Sequence, residues 1–211
     1  MKNKFAKNSV FVSGSPHGNV VLNFMGSPAS EFGHYAGAFH DAGKLLVNQI
    51  AQSQGYSDLQ VCPIVFLYRH ALELYLKQII NIGNNILRLS GKEPILEKKD
   101  HKLSQLVPAI KGIFDAVEWE WKLDIDGMAN DKDFQKFLED FERIDPMSFA
   151  FRYPTTKKGE ATLPEHFVFD VIKFSKKLDP IFDLFDGAVT GLEELWQSGA
   201  EAVHEAQGRH G

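Results

Sequence analysis

At 211 residues, with 44% hydrophobic and 24% charged side chains, the chain has the length and apolar content of one packed domain, which excludes wholesale disorder. A formal charge of −5 leaves no global positive field for nucleic-acid phosphates, so any RNA contact requires a local basic patch. The single cysteine, Cys62, excludes an internal disulfide and, within Val61-Cys62-Pro63-Ile64-Val65-Phe66-Leu67, reads as a small buried thiol.

The start, Met1-Lys2-Asn3-Lys4-Phe5-Ala6-Lys7, has the charge of a signal n-region, but Asn8, Ser9, Ser13 and Gly14 follow instead of a continuous apolar core. No run reaches the roughly 18 to 20 apolar residues that a membrane span needs, which predicts a cytoplasmic protein with no membrane partner. Residues 1–29, rich in Ser, Gly, Asn and Pro with short apolar strings, read as an extended N-terminal arm or a small hairpin.

From Ser30 the bulky positions Phe32, Tyr35, Phe39, Leu46 and Ile50 recur at helical spacing, which predicts a first helix ending near Gln54-Gly55. A second begins around Ser57-Asp58, tolerates Pro63 in its first turns, and runs through Leu67, Leu72, Leu76 and Ile80 to about Leu89. Leu103, Leu106, Val107, Ile110, Ile113 and Phe114 mark a third, which Pro108 shortens or kinks. A short amphipathic fourth carries Phe134, Phe137, Leu138 and Phe141 and closes at Asp145-Pro146.

Ser148-Phe149-Ala150-Phe151-Arg152-Tyr153-Pro154 alternates and is aromatic, which predicts an extended segment with a turn over 155–159, a short β-hairpin-like insertion. Pro164-Glu165 opens the final helix, whose continuity Pro180 and Gly187 threaten. The polar residues 196–211 read as a fraying tail or detached helix. The expected organisation is therefore an arm at 1–29, an all-α helical domain at 30–195 and a tail at 196–211.

Chemistry concentrates on the second helix. At about 100° per residue from Arg69, Glu73 falls at about 40°, Lys77 at about 80° and His70 at about 100°, so these polar groups share one stripe. Two readings stand: a solvated face held by Arg69–Glu73 and Glu73–Lys77 pairs, or a ligand site where Arg69 and His70 face a phosphate and Glu73 orients the guanidinium. Asp100 is placed to cap the third helix, with His101 beside it. Arg152, flanked by Phe151 and Tyr153, is expected to be half-buried and to need an acidic partner, Glu73 or Asp145.

Other templates are absent. His34 and His40 lie six apart, His17 and His166 are isolated, and His204 with His210 sits in the tail, so no helical ligand pair or zinc set forms and no metal site is expected. The spacing of Gly14, Gly18 and Gly26 lacks the Walker lysine, and Phe11 stands where a nucleophile elbow around Ser13 needs glycine.

Tyr68-Arg69-His70-Ala71-Leu72-Glu73-Leu74-Tyr75-Leu76-Lys77, then Asp100-His101-Lys102-Leu103, then Asp145-Pro146-Met147-Ser148-Phe149-Ala150-Phe151-Arg152-Tyr153-Pro154 resemble uncharacterised bacterial proteins of the HEPN-like class over about residues 30–190. The resemblance implies a helical bundle that pairs as a homodimer, often a metal-independent ribonuclease in toxin-antitoxin or phage-defence systems. That family's signature is an Arg followed by a polar residue and, after a spacer of three, a His. Here Arg69 is adjacent to His70, and no Arg precedes a His at that interval.

The sequence thus supports three readings. The first is a HEPN-like helical interaction module without cofactor, binding RNA, a nucleotide or a protein partner through Arg69, His70, Glu73, Lys77, Arg152 and Tyr153. The second is a ribonuclease with a non-standard site, where His70 or His101 serves as general base and Arg69 or Arg152 steadies the phosphorane charge. The third is a structural or regulatory subunit in which Arg69, Glu73, Asp145 and Arg152 form a buried salt-bridge network.

Overall fold

A computed structural model describes Val10, His17, Val20, Leu22 and residues 32–53, 58–96, 102–122, 125 and 127–208. The expected arm at 1–29 lies, apart from those four residues, outside the described ones, as does the Asp100-His101 pair. The fold is an all-α bundle: α1 (Phe32–Gln52), α2 (Val61–Leu89), α3 (Val107–Ala116), α4 (Asp131–Ile144) and α5 (Val171–Gly208), with single 3₁₀ turns at Asp58–Gln60 and Leu103–Leu106.

The organising element is α2, packed on nearly every side because its buried apolar residues, among them Ile64, Leu72, Leu76, Ile80, Leu74 and Ala71, are spread around most of its circumference. The α1 helix lays Ala36, His40, Gly43 and Val47 against it, a single stripe at helical spacing. Gly43 is needed where it stands, since a Cβ there would sit 2.7 Å from the Tyr68 ring. The same holds for Gly83, whose added Cβ would lie 2.3 Å from Ile113 of α3. From the other side α5 contributes Leu178, Ile181, Phe182, Phe185 and Leu192.

Asn130 caps α4: its side chain accepts from the amides of Lys132 (2.9 Å) and Asp133 (3.1 Å), while the Asp133 carboxylate accepts from the Ala129 amide (3.1 Å). Phe134 and Leu138 then turn inward.

Several expectations are corrected. Pro108 does not kink α3 but goes with a shorter one: Leu103–Leu106 form a separate 3₁₀ turn, and Pro108 occupies the opening of the α-helix, where its missing N–H is not needed. The Ser148–Pro154 segment is not extended. Ser148 adopts φ 54°, and the amides of Arg152 and Tyr153 both bond back to the Phe149 carbonyl, which coils it into a turn. Among the described residues the hairpin-like insertion reduces to one isolated bridge, Thr155 to Ala161.

The last helix starts at Val171, not at Pro164, because His166 takes φ 53° and Asp170 supplies the cap, its Oδ1 accepting from the amides of Ile172 (2.9 Å) and Lys173 (3.0 Å). It passes through Pro180 and Gly187 unbroken, and residues 196–208, expected as a frayed or detached tail, continue the same helix. Pro180 is exposed, so the carbonyl it leaves unbonded can face water. Cys62 is half-buried and packs beside Val65 and Phe151. No described helix is long and apolar enough to cross a membrane.

Candidate functional site

Along α2 the spacing i, i+4, i+8 turns Arg69, Glu73 and Lys77 into a ladder. Arg69 Nη1 donates to Glu73 Oε2 (3.3 Å), and Lys77 Nζ donates to Glu73 Oε1 (2.7 Å). This is not a solvated face. Arg69 is 0% exposed and Glu73 4%, while Lys77 is half-buried.

What covers Arg69 is the coiled segment after α4. Asp145 places Oδ2 3.6 Å from Arg69 Nε, while its Oδ1 accepts from the amides of Phe149 (2.6 Å) and Ala150 (2.9 Å). One carboxylate therefore shapes the turn and pairs with the buried guanidinium. Ala150 and Phe151 complete the lid by packing on Val65. Burial lowers the Arg69 pKa, opposed by Asp145, Glu73 and Glu142 in that order. Glu142 is itself held: its two oxygens accept from the Ser104 amide and hydroxyl, each at 2.8 Å, tying α4 to the turn that opens α3.

The expected partner of Arg152 is thus taken by Arg69. Arg152 instead lies exposed, donates from Nε to the Ser148 carbonyl, and forms no ion pair with a described carboxylate. Its guanidinium carbon is 5.5 Å from the centre of the Phe66 ring and 5.8 Å from that of Tyr153. Tyr153, 52% exposed, stacks on Phe149 at 4.7 Å.

His70 joins this cluster through the same Phe66 ring, stacked at 5.6 Å, with the Phe39 ring meeting it edge-on at 4.6 Å. Burial lowers the His70 pKa, opposed by Glu73 and reinforced by Lys77, Arg152 and Arg69. Its imidazole is therefore neutral at pH 7 and can accept a proton. The structure brings His70, Arg152 and Tyr153 to one partly exposed region around Phe66, with Lys77 two turns further along α2, and draws Arg69 and Glu73 beneath it. His101 lies outside the described residues.

Sequence reasoning missed a second polar cluster. His40 Nε2 lies 2.8 Å from Asp179 Oδ1, the Tyr68 hydroxyl donates to the same oxygen (3.0 Å), and Ser175 Oγ donates to Asp179 Oδ2 (3.0 Å). Tyr68 Oη and Ser175 Oγ are 2.8 Å apart. His40 stacks on Phe182 at 4.0 Å. Burial raises the Tyr68 pKa well above its ordinary value, so the phenol stays protonated and donates. The available signal was the i, i+4 spacing of Ser175 and Asp179, and His40 on the α1 stripe with Ala36 and Val47.

The fold and site define an all-α bundle carrying a cationic, aromatic patch over a buried ion network. No family model, no curated protein and no solved structure matches this chain.

Proposed function

We propose that the protein is a helical binding module whose His70, Lys77, Arg152 and Tyr153 patch takes a nucleotide or a single-stranded RNA segment. The observation that carries this reading is Arg152, an exposed guanidinium with no described carboxylate partner, set between Phe66 and the half-exposed Tyr153. A guanidinium suits a phosphate bidentately, and an aromatic face beside it suits a base. Arg69, Glu73 and Asp145 belong beneath this surface as the ion network that fixes the turn presenting Arg152. The HEPN-like resemblance is part of the same proposal, with the homodimer and the prokaryotic defence setting it implies.

The test is fluorescence anisotropy with a labelled single-stranded RNA oligonucleotide and, separately, ATP and GTP. Saturable binding that Arg152→Ala and Tyr153→Ala both weaken supports the reading. Absence of binding, or equal binding by Arg152→Ala, overturns it.

A ribonuclease is the second reading, favoured by the neutral His70 near the cations Lys77, Arg152 and Arg69. Cleavage of the same oligonucleotide, abolished by His70→Ala with binding retained, separates it from binding alone.

A further inference from the structure

A second groove, about 540 Å³, opens between α1, α2 and α5, away from Arg152. Its α1 wall is low because Gly33 and Gly37 face it; a Cβ at Gly37 would already meet Tyr75 Oη at 3.7 Å. Its polar lining includes three carboxylates, Asp41, Asp186 and Glu193, and no Lys or Arg. The hydrogen-bond inventory is equally one-sided. Tyr75 spends its proton on Asp186 (3.3 Å), and burial together with the acids around it, Asp186 foremost, pushes its pKa up to about 12, so it stays a phenol. Thr190 donates to the Asp186 carbonyl of its own helix (3.0 Å).

Gln78 supplies the independent observation. It is 1% exposed and lines the groove, and its Nε2 donates to Glu193 (3.5 Å), but its Oε1 accepts no hydrogen bond from a described residue. A buried amide oxygen left unbonded costs free energy, and a ligand N–H would satisfy it. Tyr75, Thr190 and Gln78 use their donors within the protein, and the exposed His34 is the remaining lining side chain with an N–H, so the groove offers acceptors in excess. Among the described residues no group of three or more His, Cys, Asp or Glu is placed to hold a metal ion, and the volume exceeds what a bare ion fills.

We propose that this groove binds a small organic cation with several N–H donors, an oligoamine, whose ammonium groups lie against Asp41, Asp186 and Glu193 while one N–H reaches Gln78 Oε1. Nothing in the RNA-facing patch is required for it, so the two sites fail or survive separately.

Isothermal titration of the whole chain with spermidine at low ionic strength tests this. The expected result is saturable binding near one equivalent, weakened at least about tenfold in Asp186→Asn/Glu193→Gln and unchanged in Arg152→Ala. Glu139→Gln/Asp140→Asn, which removes the same charge from the exposed face of α4, should bind like the wild type. Gln78→Met should bind several-fold more weakly, with a melting temperature no lower than the wild type, because the unbonded acceptor is removed along with its donor. Non-saturating heats, or an equal loss in the α4 control, would mean diffuse attraction of counterions and overturn the proposal. Gln78→Met binding as tightly as the wild type overturns the acceptor role.

Discussion

Asp145 Oδ2 lies 3.6 Å from the Nε of Arg69, and the other oxygen of the same carboxylate holds the turn that follows α4. A side chain at the end of one helix thereby determines whether the middle of another can carry a buried charge. With the Arg69 side chain fully out of water, the pair acts through removal: either partner alone is far worse placed than both together.

Asp145→Ala is accordingly expected to destabilise the fold by about 3–5 kcal/mol, since it strands a buried cation and releases two amides. Arg69→Met/Asp145→Ala should recover part of that loss. Urea denaturation of both variants and of Arg69→Met closes the cycle, and additive losses would show that the two residues act independently.

Arg152→Ala should leave stability within about 0.5 kcal/mol of the wild type, because the side chain is exposed and has no ion-pair partner among the described residues. Its effect belongs to ligand binding. A large shift in the urea midpoint would instead make Arg152 part of the scaffold.

His70 gives a pH dependence of known sign. Its folded pKa lies below the ordinary histidine value of 6.5, so between those two values the unfolded chain binds the additional proton. The stability His70 contributes is complete above pH 6.5 and is lost as pH falls below that value toward the folded pKa. Melting temperatures recorded from pH 7.5 to 5 should fall less steeply in His70→Gln than in the wild type. Parallel curves would remove His70 as the source.

Tyr75 works in the opposite direction on the alkaline side. With the folded pKa pushed from 10.0 to about 12, the folded state retains a proton that the unfolded chain releases, so this stability is present below pH 10 and is lost as pH rises toward 12. Absorbance titration of the phenols should show two late-titrating tyrosines, Tyr68 and Tyr75, of which the earlier disappears in Tyr75→Phe.

Gly83→Ala tests the contact between α2 and α3. In an open helix the change is stabilising by about 0.5–1 kcal/mol, but here the methyl would meet Ile113 Cγ2 at 2.3 Å, and overpacking of about 1–3 kcal/mol should prevail. Gly83→Ala/Ile113→Ala should relieve the clash. A stabilised Gly83→Ala protein would show that the helices part easily.

The helices were legible in the sequence because each carries an apolar period, and α1, α2 and α4 begin and end within a few residues of where that period places them. The polar stripe of α2 was legible too, as angles around a rod. What it faced was not. Arg69 and Arg152 have the same side chain, and only the turn formed by Asp145 decides that one is interred and the other left outside. That turn was read as a strand because alternation of Phe149, Phe151 and Tyr153 mimics a pleat, whereas Ser148 at positive φ reverses the chain before a strand can start. Proline and glycine misled in the final helix for a related reason: Pro180 and Gly187 fall on its exposed side, where their penalties are smallest. The cluster around Asp179 joins residues more than one hundred positions apart, beyond any local pattern.

Among the described residues α2 packs against α1, α3 and α5, and against the segment that leaves α4. Its Tyr68 meets α1 through Gly43 and α5 through Ser175, its Gly83 admits α3, and its Arg69 receives the segment that leaves α4. Helices that share one central rod lose their main packing surface together when that rod is released. The amides along α2 should exchange with solvent only through global unfolding, and heat should dissolve the described bundle in one cooperative step.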